Sequence, residues 1–403
     1  NANTTGESTT STTGNTINNT ITNTTTTSQT VVYTVTPTSS PGGCVGTAQT
    51  VTVTVNPLPV MTSANTATIC SGGAVSIPLT SNIASGYSWI ATDNANTTGE
   101  STTTQTTSTL SNTLTNTSST AQSVVYTVTP TSTIGSCPGT AQTVTVTVNP
   151  VPVMTSTTSA SICSGSTLNI ALTSNVASSY SWIAGANANV GGESTTTQTT
   201  STINNTLTNT TATTQTVTYT VTPTSTAGAC PGTPQTVSVT VNPLPAMTST
   251  TSASICSGST LNIGLTSNIT STYSWIAGAN ANVGGESTTT QSTSTINNTL
   301  SNTTGTAETV IYTVTPTSSP GGCVGTAQTV TVTVNPLPVM TSANTATICS
   351  GGAVSIPLTS NIASGYSWIA TDNANTTGES TTTQTTSTLS NTLTNTSSTA
   401  QSV

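Results

Sequence analysis

The stretch Thr50-Val-Thr-Val-Thr-Val-Asn-Pro-Leu-Pro-Val-Met61 decides the fold of this chain. Its valines alternate with threonines, which is the period of a β-strand with one buried and one solvated face. Both residue types are β-branched and favour strands. Neither proline of the following Asn-Pro-Leu-Pro sequence can donate a ladder hydrogen bond, so the strand ends there. The stretch therefore predicts the last strand of one folded unit and a stiff linker into the next.

The same stretch returns at a fixed interval, beginning again at Thr143, Thr236 and Thr329. Each step is 93 residues, and the cysteines, the tryptophans, a tyrosine and a recurring glutamate keep the same step. A constant period of this kind indicates tandem copies of one structural unit. The 403 residues hold a little more than four such units.

Module boundaries placed at the Asn-Pro linkers give three whole modules, 58–150, 151–243 and 244–336. Residues 1–57 are then the C-terminal part of a module, and 337–403 the N-terminal part of another. The sequence from Gly42 to Val124 is identical to that from Gly321 to Val403, which adds a super-repeat of three modules. We interpret the chain as an excerpt from a longer array, in which any targeting segment lies elsewhere.

The composition excludes several classes of function. The chain contains no Lys, Arg, His or Phe and only eight acidic residues. Without cationic side chains it cannot neutralise phosphates, so we expect no nucleic-acid partner and no attraction to anionic membranes. Without His it lacks the usual general base and metal ligand, so we expect no enzyme, no metal and no cofactor. No run approaches the roughly 18 apolar residues that a membrane span needs.

Alternating apolar residues predict about seven short strands in the module 58–150. The polar stretch 91–107 is ambiguous, and Pro130 is expected to end the strand that precedes it. Turn signals lie at Ile69–Gly73 and Ile134–Gly139. The strands are predicted around Val60–Thr62, Val75–Leu79, Gly86–Ile90, Leu110–Leu114, Val124–Val128 and Val144–Val148.

Short strands at this spacing, with one central Trp and a Tyr in the penultimate strand, predict an all-β fold: a tandem array of immunoglobulin-like β-sandwich modules. The motifs Ile-Cys-Ser-Gly, Tyr-Ser-Trp, Tyr-Thr-Val-Thr-Pro-Thr-Ser and Thr-Val-Thr-Val-Asn-Pro occur together in the chain. This combination resembles the PKD-like, immunoglobulin-like tandem repeats of very large bacterial surface and adhesin proteins. The resemblance covers every module. It implies a secreted stalk or adhesive array with no catalytic residues.

One Trp and one Tyr recur per module and are predicted to form its core. Stacking on sugars is the alternative, but the chain has few other large side chains with which to build a core. The predicted core residues are Trp89, Tyr126, Trp182, Tyr219, Trp275 and Tyr312.

Two cysteines recur per module and are predicted to form disulfides in an oxidising compartment. Zinc is the alternative, but two cysteines without His are a poor tetrahedral site. The predicted disulfide cysteines are Cys44, Cys70, Cys137, Cys163, Cys230, Cys256, Cys323 and Cys349.

The connectivity of these cysteines has three alternatives. In a standard sandwich Cys70 lies at the end where the chain leaves the module, and Cys137 lies at the opposite end, beyond disulfide reach. We therefore favour pairing between modules, Cys70–Cys230 and Cys163–Cys323, with the partners of the other cysteines outside 1–403. Pairing within a module, such as Cys70–Cys137, is the close second. Pairing of neighbours in sequence, such as Cys44–Cys70, is third because two extended strands separate them.

The acidic residues suggest a paired-carboxylate site at Asp93 and Glu100, of the kind that glycosidases use. The positions equivalent to Asp93 are Ala186 and Ala279, so two whole modules lack the pair. Calcium needs 6–8 oxygen ligands, which these residues do not supply. The recurring glutamate is therefore predicted to be a solvated loop residue.

Dense glycosylation is predicted from the near absence of charge. Only 2% of the residues are charged, whereas a soluble surface usually carries roughly 25–35%. Uncharged Thr-rich strand edges associate unless something protects them. The candidate sites are Thr24, Thr25, Thr26, Thr27, Asn96, Asn116, Thr102, Thr103, Asn204 and Asn268.

Two functions fit these observations. The first is a rigid extracellular rod or filament, a stalk or matrix fibre on or outside a bacterial cell, whose partners are covalent glycans and neighbouring copies of the same chain. The second is an adhesin whose repeated loops bind surface glycans or proteins. Near-identical copies favour both, because each gains from copy number.

Overall fold

The computed structural model of the protein describes all 403 residues and contains strands only. It has no helix that is long and apolar enough to cross a membrane. Residues 1–57 form β1 (Thr4–Thr5), β2 (Thr22–Asn23), β3 (Gln29–Val35) and β4 (Gln49–Val55). Residues 58–150 form β5 (Thr66–Cys70), β6 (Gly73–Pro78), β7 (Ser85–Ala91), β8 (Thr97–Thr98), β9 (Thr109–Asn116), β10 (Gln122–Ser132) and β11 (Gln142–Asn149).

The next two modules repeat this order, with β6 and β9 each divided in two. Residues 151–243 form β12 (Ser159–Cys163), β13 (Ser166–Thr167), β14 (Ile170–Ala171), β15 (Ser178–Ala184), β16 (Val190–Gly191), β17 (Thr202–Ile203), β18 (Thr206–Asn209), β19 (Gln215–Ser225) and β20 (Gln235–Asn242). Residues 244–336 form β21 (Ser252–Cys256), β22 (Ser259–Thr260), β23 (Ile263–Gly264), β24 (Ser271–Ala277), β25 (Val283–Gly284), β26 (Thr295–Ile296), β27 (Thr299–Asn302), β28 (Glu308–Ser318) and β29 (Gln328–Asn335). Residues 337–403 form β30 (Gly352–Pro357), β31 (Thr376–Thr377) and β32 (Thr388–Asn395).

Each whole module is a sandwich of two sheets, as predicted. In the first, a four-stranded sheet has the order β5-β11-β10-β7 and faces a three-stranded sheet, β6-β9-β8. All neighbouring strands are antiparallel except β5 and β11, which run parallel with Cys70 opposite Asn149. The first and last strands of a module therefore lie side by side and point in the same direction.

The core lies between the two sheets and follows the alternation in the sequence. Val124, Tyr126 and Val128 of β10 are completely buried, while the residues between them are not. The rings of Trp89 and Tyr126 meet edge to face, with their centroids 5.8 Å apart. Leu110 and Leu114 of β9 pack into this core from the opposite sheet. The equivalent residues form separate cores in the second and third modules.

Two details of the predicted strands are wrong. Val60–Thr62 makes only an isolated bridge, Met61 to Ser81. The first strand is β5, which runs into the predicted turn at Ile69–Gly73. This strand lies at the edge of the sheet and half-buries only alternate residues, so its apolar pattern is weak.

Pro130 does not end its strand but lies inside β10. Its carbonyl oxygen accepts a hydrogen bond from the N–H of Gly139 at 2.8 Å. The carbonyl therefore points towards the β10–β11 hairpin, beyond the last residues of the regular β10–β11 pairing. On its other side Pro130 lies opposite Tyr87 of β7. The missing N–H costs little, because it would point to the same side as the carbonyl oxygen, where the regular β10–β11 ladder has already ended at Val128.

Candidate functional site: the joint between modules

The joint begins where β11 ends, at Asn149, which is 5% exposed. Its carbonyl oxygen accepts a hydrogen bond from the N–H of Ser71 at 2.8 Å. This bond continues the β5–β11 pairing by one residue and holds the turn after Cys70 at the C-terminal end of the module. Pro150 follows and cannot continue the strand.

The hairpin between β19 and β20 of the next module closes the other side of the joint. Gly228 in this hairpin has a φ of 75°, a conformation that glycine adopts at little cost. A Cβ atom on Gly228 would overlap the side-chain amide of Asn149. The same overlap recurs between Gly135 and Asn56, while a Cβ atom on Gly321 would lie in tight contact with Asn242, 3.0 Å from its Cγ. Each joint is therefore formed by an Asn of one module seated against a Gly of the next.

A disulfide crosses this joint from Cys70 to Cys230. The two Cα atoms are 5.6 Å apart, inside the range that a disulfide requires. The next joint has the same crosslink, Cys163–Cys323, with the same Cα separation. Its hairpin has a different sequence, Ser319-Pro320-Gly321-Gly322, so the geometry does not depend on one loop sequence. This is the connectivity that the positions of the two module ends favoured.

The remaining four cysteines have no bonded partner among residues 1–403. Cys44, Cys256 and Cys349 are exposed and Cys137 is half-buried. Cys137 occupies the same hairpin position as Cys230, and Cys256 the same strand end as Cys70. That these four also form disulfides stays a prediction.

The recurring glutamate is not a solvated loop residue, which corrects the sequence prediction. Glu100 is half-buried, and its Oε1 accepts hydrogen bonds from Thr97 Oγ1 at 2.8 Å and from the N–H of Asn94 at 3.3 Å. Its Oε2 is buried without a protein partner. Glu193 and Glu286 accept the corresponding backbone bond at 3.1 Å. The glutamate therefore closes the loop before β9 by binding its backbone.

A short polar network connects this loop to the core. The hydroxyl of Tyr126 donates to Asn112 Oδ1 at 2.8 Å, and Asn112 Nδ2 donates to Ser101 Oγ at 2.8 Å. Burial raises the pKa of Tyr126, and the negative charge of Glu100 raises it further. The tyrosine is therefore a neutral structural donor at ordinary pH.

No group of three or more Cys, Asp or Glu side chains in the chain is arranged to hold a metal ion. Asp93 is exposed and forms no side-chain hydrogen bond with Glu100. Trp89 is 3% exposed, and its indole N–H donates to Thr107 Oγ1 at 3.1 Å. Its ring is therefore not available as a platform for sugars.

A cavity of about 1090 Å³ lies in residues 337–403 and is lined by residues that include Val354, Ile356, Trp368, Leu389 and Leu393. Their equivalents in the first whole module line the core that β10 and β11 cover. The cavity therefore corresponds to the interior of a sandwich and has the character of a core, not of a ligand site.

The glycosylation candidates lie mostly at the surface. The exposed ones are Thr24, Thr26, Thr27, Asn96, Thr102, Thr103, Asn204 and Asn268, while Thr25 is half-buried. Asn116 is a correction: it is 8% exposed, and its amide nitrogen donates to Thr120 O at 2.7 Å and Val148 O at 2.8 Å. The first bond ties the end of β9 to the turn that follows it, and the second ties it to β11. Asn116 is therefore a structural residue in the folded module.

Comparison with known families supports the sandwich assignment. The sequence model of the PKD-like domain matches residues 1–59, 67–152, 160–245, 253–338 and 346–403. The chain belongs to the PKD-like domain family. These five PKD-like repeats cover nearly all of the chain, so the family accounts for every module. A comparison with curated proteins finds no similar sequence.

Solved structures similar to the PKD-like array are other tandem β-sandwich proteins. A fragment of mouse cadherin-23, EC22–24, is 10% identical over 70% of this chain and 99% of its own, with a TM-score of 0.28. Titin domains I67–I69 are 9% identical over 69% and 98%, with a TM-score of 0.34. The insect immune protein hemolin is 12% identical over 81% and 91%, with a TM-score of 0.26.

The sequence contained signals for most of this site but not for its contacts. The Asn-Pro linker and the cysteine spacing predicted where the joint lies. The contact of Asn149 with Gly228 was missed, although a Gly lies two residues before each of the four hairpin cysteines. It is a single Gly before Cys137 and Cys230 and the first of a Gly pair before Cys44 and Cys323. The buried role of Asn116 was also missed, because its sequon suggested an exposed residue.

Proposed function

We propose that the chain is part of an extracellular structural protein, a rigid rod or filament that serves as a stalk or matrix fibre on or outside a bacterial cell. The single observation that carries this proposal is the joint. A short Asn-Pro linker, a seated asparagine and a disulfide restrain each whole module relative to the next. A protein whose modules needed to move independently would gain nothing from such crosslinks.

Secretion fits the same observation. Disulfides persist in oxidising compartments and are rare in the cytosol. The chain lacks His, Lys and Arg, so the commonest general base and every cationic side chain are missing. We therefore propose a structural role and not an enzymatic one.

We also propose that the rod is glycosylated and associates with copies of itself. The outward faces are rich in exposed Thr and Ser, and almost no charge guards the strand edges. Covalent sugars would solvate these faces without disturbing the core. Where the sugars are absent, lateral contact with another copy would cover the same edges.

Small-angle scattering of the full chain, combined with electron microscopy of native material, tests the proposal. Modules of about 30–40 Å stacked end to end predict a particle with a maximum dimension of roughly 140–170 Å. A compact globule would contradict it. Saturable binding of the chain to an array of glycans would instead favour the adhesin. Glycopeptide mapping of native material that finds sugars on the exposed Thr and Asn candidates would support glycosylation.

A further inference from the structure

The disulfides, which join consecutive modules, connect each joint between modules to the next joint but one. Four joint segments, 44–70, 137–163, 230–256 and 323–349, each run from a hairpin cysteine through a last strand and the linker to a second cysteine. In the first three segments the second cysteine ends the first strand of the next module. Cys70–Cys230 joins the first segment to the third, and Cys163–Cys323 joins the second to the fourth. The chain therefore contains two covalent lines, 44–70 with 230–256 and 137–163 with 323–349.

The two covalent lines run next to each other through every whole module. In the first module the line from 44 contributes β5 and the line from 137 contributes β11, which pair in parallel over five residues. The second and third modules repeat the arrangement with β12 beside β20 and β21 beside β29. The rest of each module, the core segments 71–136, 164–229 and 257–322, connects one line to the other.

We propose that these two lines carry axial tension, so that the array resists extension without unfolding its modules. A pull between Leu58 and Leu244 spans the first two whole modules. Along the backbone these residues are 186 positions apart, whereas through Cys70–Cys230 the path is 26 positions and one disulfide. The core segments of both modules lie outside the shorter path.

The shorter path has little slack. Twenty-six extended residues and one disulfide reach about 95 Å at most, and two folded modules already occupy roughly 60–80 Å. Without the disulfide the same two points can separate by about 600 Å as both modules unfold. The crosslink therefore limits the extension of two modules to a few tens of ångströms, even after β5 has been pulled away from β11.

This inference deepens the proposed structural role and rests on it, because resistance to tension matters for a stalk or fibre. Its test is single-molecule force spectroscopy on the full chain, attached through click-reactive residues placed at Leu58 and Leu244, which are 55% and 42% exposed. We expect no step longer than about 35 Å in the oxidised protein. After reduction by a phosphine, or in Cys70→Ser/Cys230→Ser, we expect two steps of about 250–300 Å each.

The variant Cys163→Ser/Cys323→Ser is the matched control. It removes an equivalent disulfide, but the path between Leu58 and Leu244 through that bond is no shorter than the backbone, so the short extension should be retained. Long steps in oxidised protein whose Cys70–Cys230 bond is verified by mass spectrometry would overturn the inference. The absence of long steps after reduction would also overturn it, because non-covalent contacts would then carry the load. Either result would contradict the role of the disulfides in tension without contradicting the proposed rod, whose elongated shape is tested separately by small-angle scattering.

Discussion

Cys70 and Cys230 are separated by 160 residues, belong to different modules and are bonded, with their Cα atoms 5.6 Å apart. Their proximity follows from two local facts: Cys70 ends the first strand beside Asn149, and Cys230 lies in the hairpin that receives the same Asn149. The joint therefore brings together the end of one module and the beginning of the next, and the disulfide fixes that contact.

The first prediction concerns this crosslink. The double variant Cys70→Ser/Cys230→Ser should lower the free energy of unfolding of the two linked modules by about 4–5 kcal/mol, because a loop of 160 residues is no longer closed in the unfolded chain. Urea denaturation of the full chain measures the change. Cys44→Ser, which removes an exposed unpaired thiol, is the control and should change stability by less than about 0.5 kcal/mol. Equal stability of the double variant and the parent would contradict the prediction.

The second prediction separates the two roles of the joint glycine. In Gly228→Ala the new side chain adopts an unfavourable positive φ and also overlaps Asn149. In Gly258→Ala the φ of 80° is equally unfavourable, but no atom lies within 4 Å of the new Cβ. Gly258→Ala should cost about 1 kcal/mol. Gly228→Ala should cost more and should also change the scattering profile, because the joint must open. Indistinguishable profiles and stabilities for the two variants would show that the seated asparagine does not matter.

A third prediction concerns Asn116 and Asn96, two sequon asparagines of one module. Asn116→Ala leaves the carbonyls of Thr120 and Val148 without their donor and should cost about 2–3 kcal/mol. Asn96→Ala changes an exposed side chain and should cost less than about 0.5 kcal/mol. Thermal or urea unfolding compares them. Glycopeptide mapping of native protein should find Asn96 open to modification and Asn116 bare, and a glycan on Asn116 would contradict its placement.

The fourth prediction is a loss of stability in alkali. Burial raises the pKa values of Tyr126, Tyr219 and Tyr312, and a nearby glutamate adds to each. The folded state therefore keeps its tyrosine protons at a pH where the unfolded state, with a pKa near 10, has released them. Stability should be constant below about pH 10 and should fall above it by about 1.4 kcal/mol per pH unit for each buried tyrosine.

Urea denaturation between pH 8 and pH 12 measures this fall, and tyrosinate absorbance should rise together with unfolding. Tyr126→Phe should reduce the slope in its own module, at a cost of about 1 kcal/mol at neutral pH for the lost hydrogen bond to Asn112. A buried tyrosine that titrates near pH 10 in the folded protein would contradict the assignment.

The sequence predicted those features that depend on period and on local chemistry. Alternation placed β6, β7, β9 and β11, because a strand with one buried face repeats every two residues. Alternation failed at β5, an edge strand that buries little of its surface. It also failed at Pro130, because a proline can lie inside a strand where the neighbouring ladder has already ended, and the sequence does not show where that is. Glu100 and Asn116 were taken as exposed because their hydrogen-bond partners are distant in sequence or belong to the backbone. Such contacts leave no pattern in a single sequence.

Non-reducing peptide mapping determines whether the disulfides join consecutive modules. The chain has no Lys or Arg for trypsin, but cleavage after glutamate of the denatured protein gives four fragments with two cysteines each: 8–100, 101–193, 194–286 and 309–379. We expect 8–100 to be linked to 194–286, and 101–193 to be linked to 309–379. Linkage of 8–100 to 101–193, as pairing within a module requires, or fragments that separate without reduction, would contradict it.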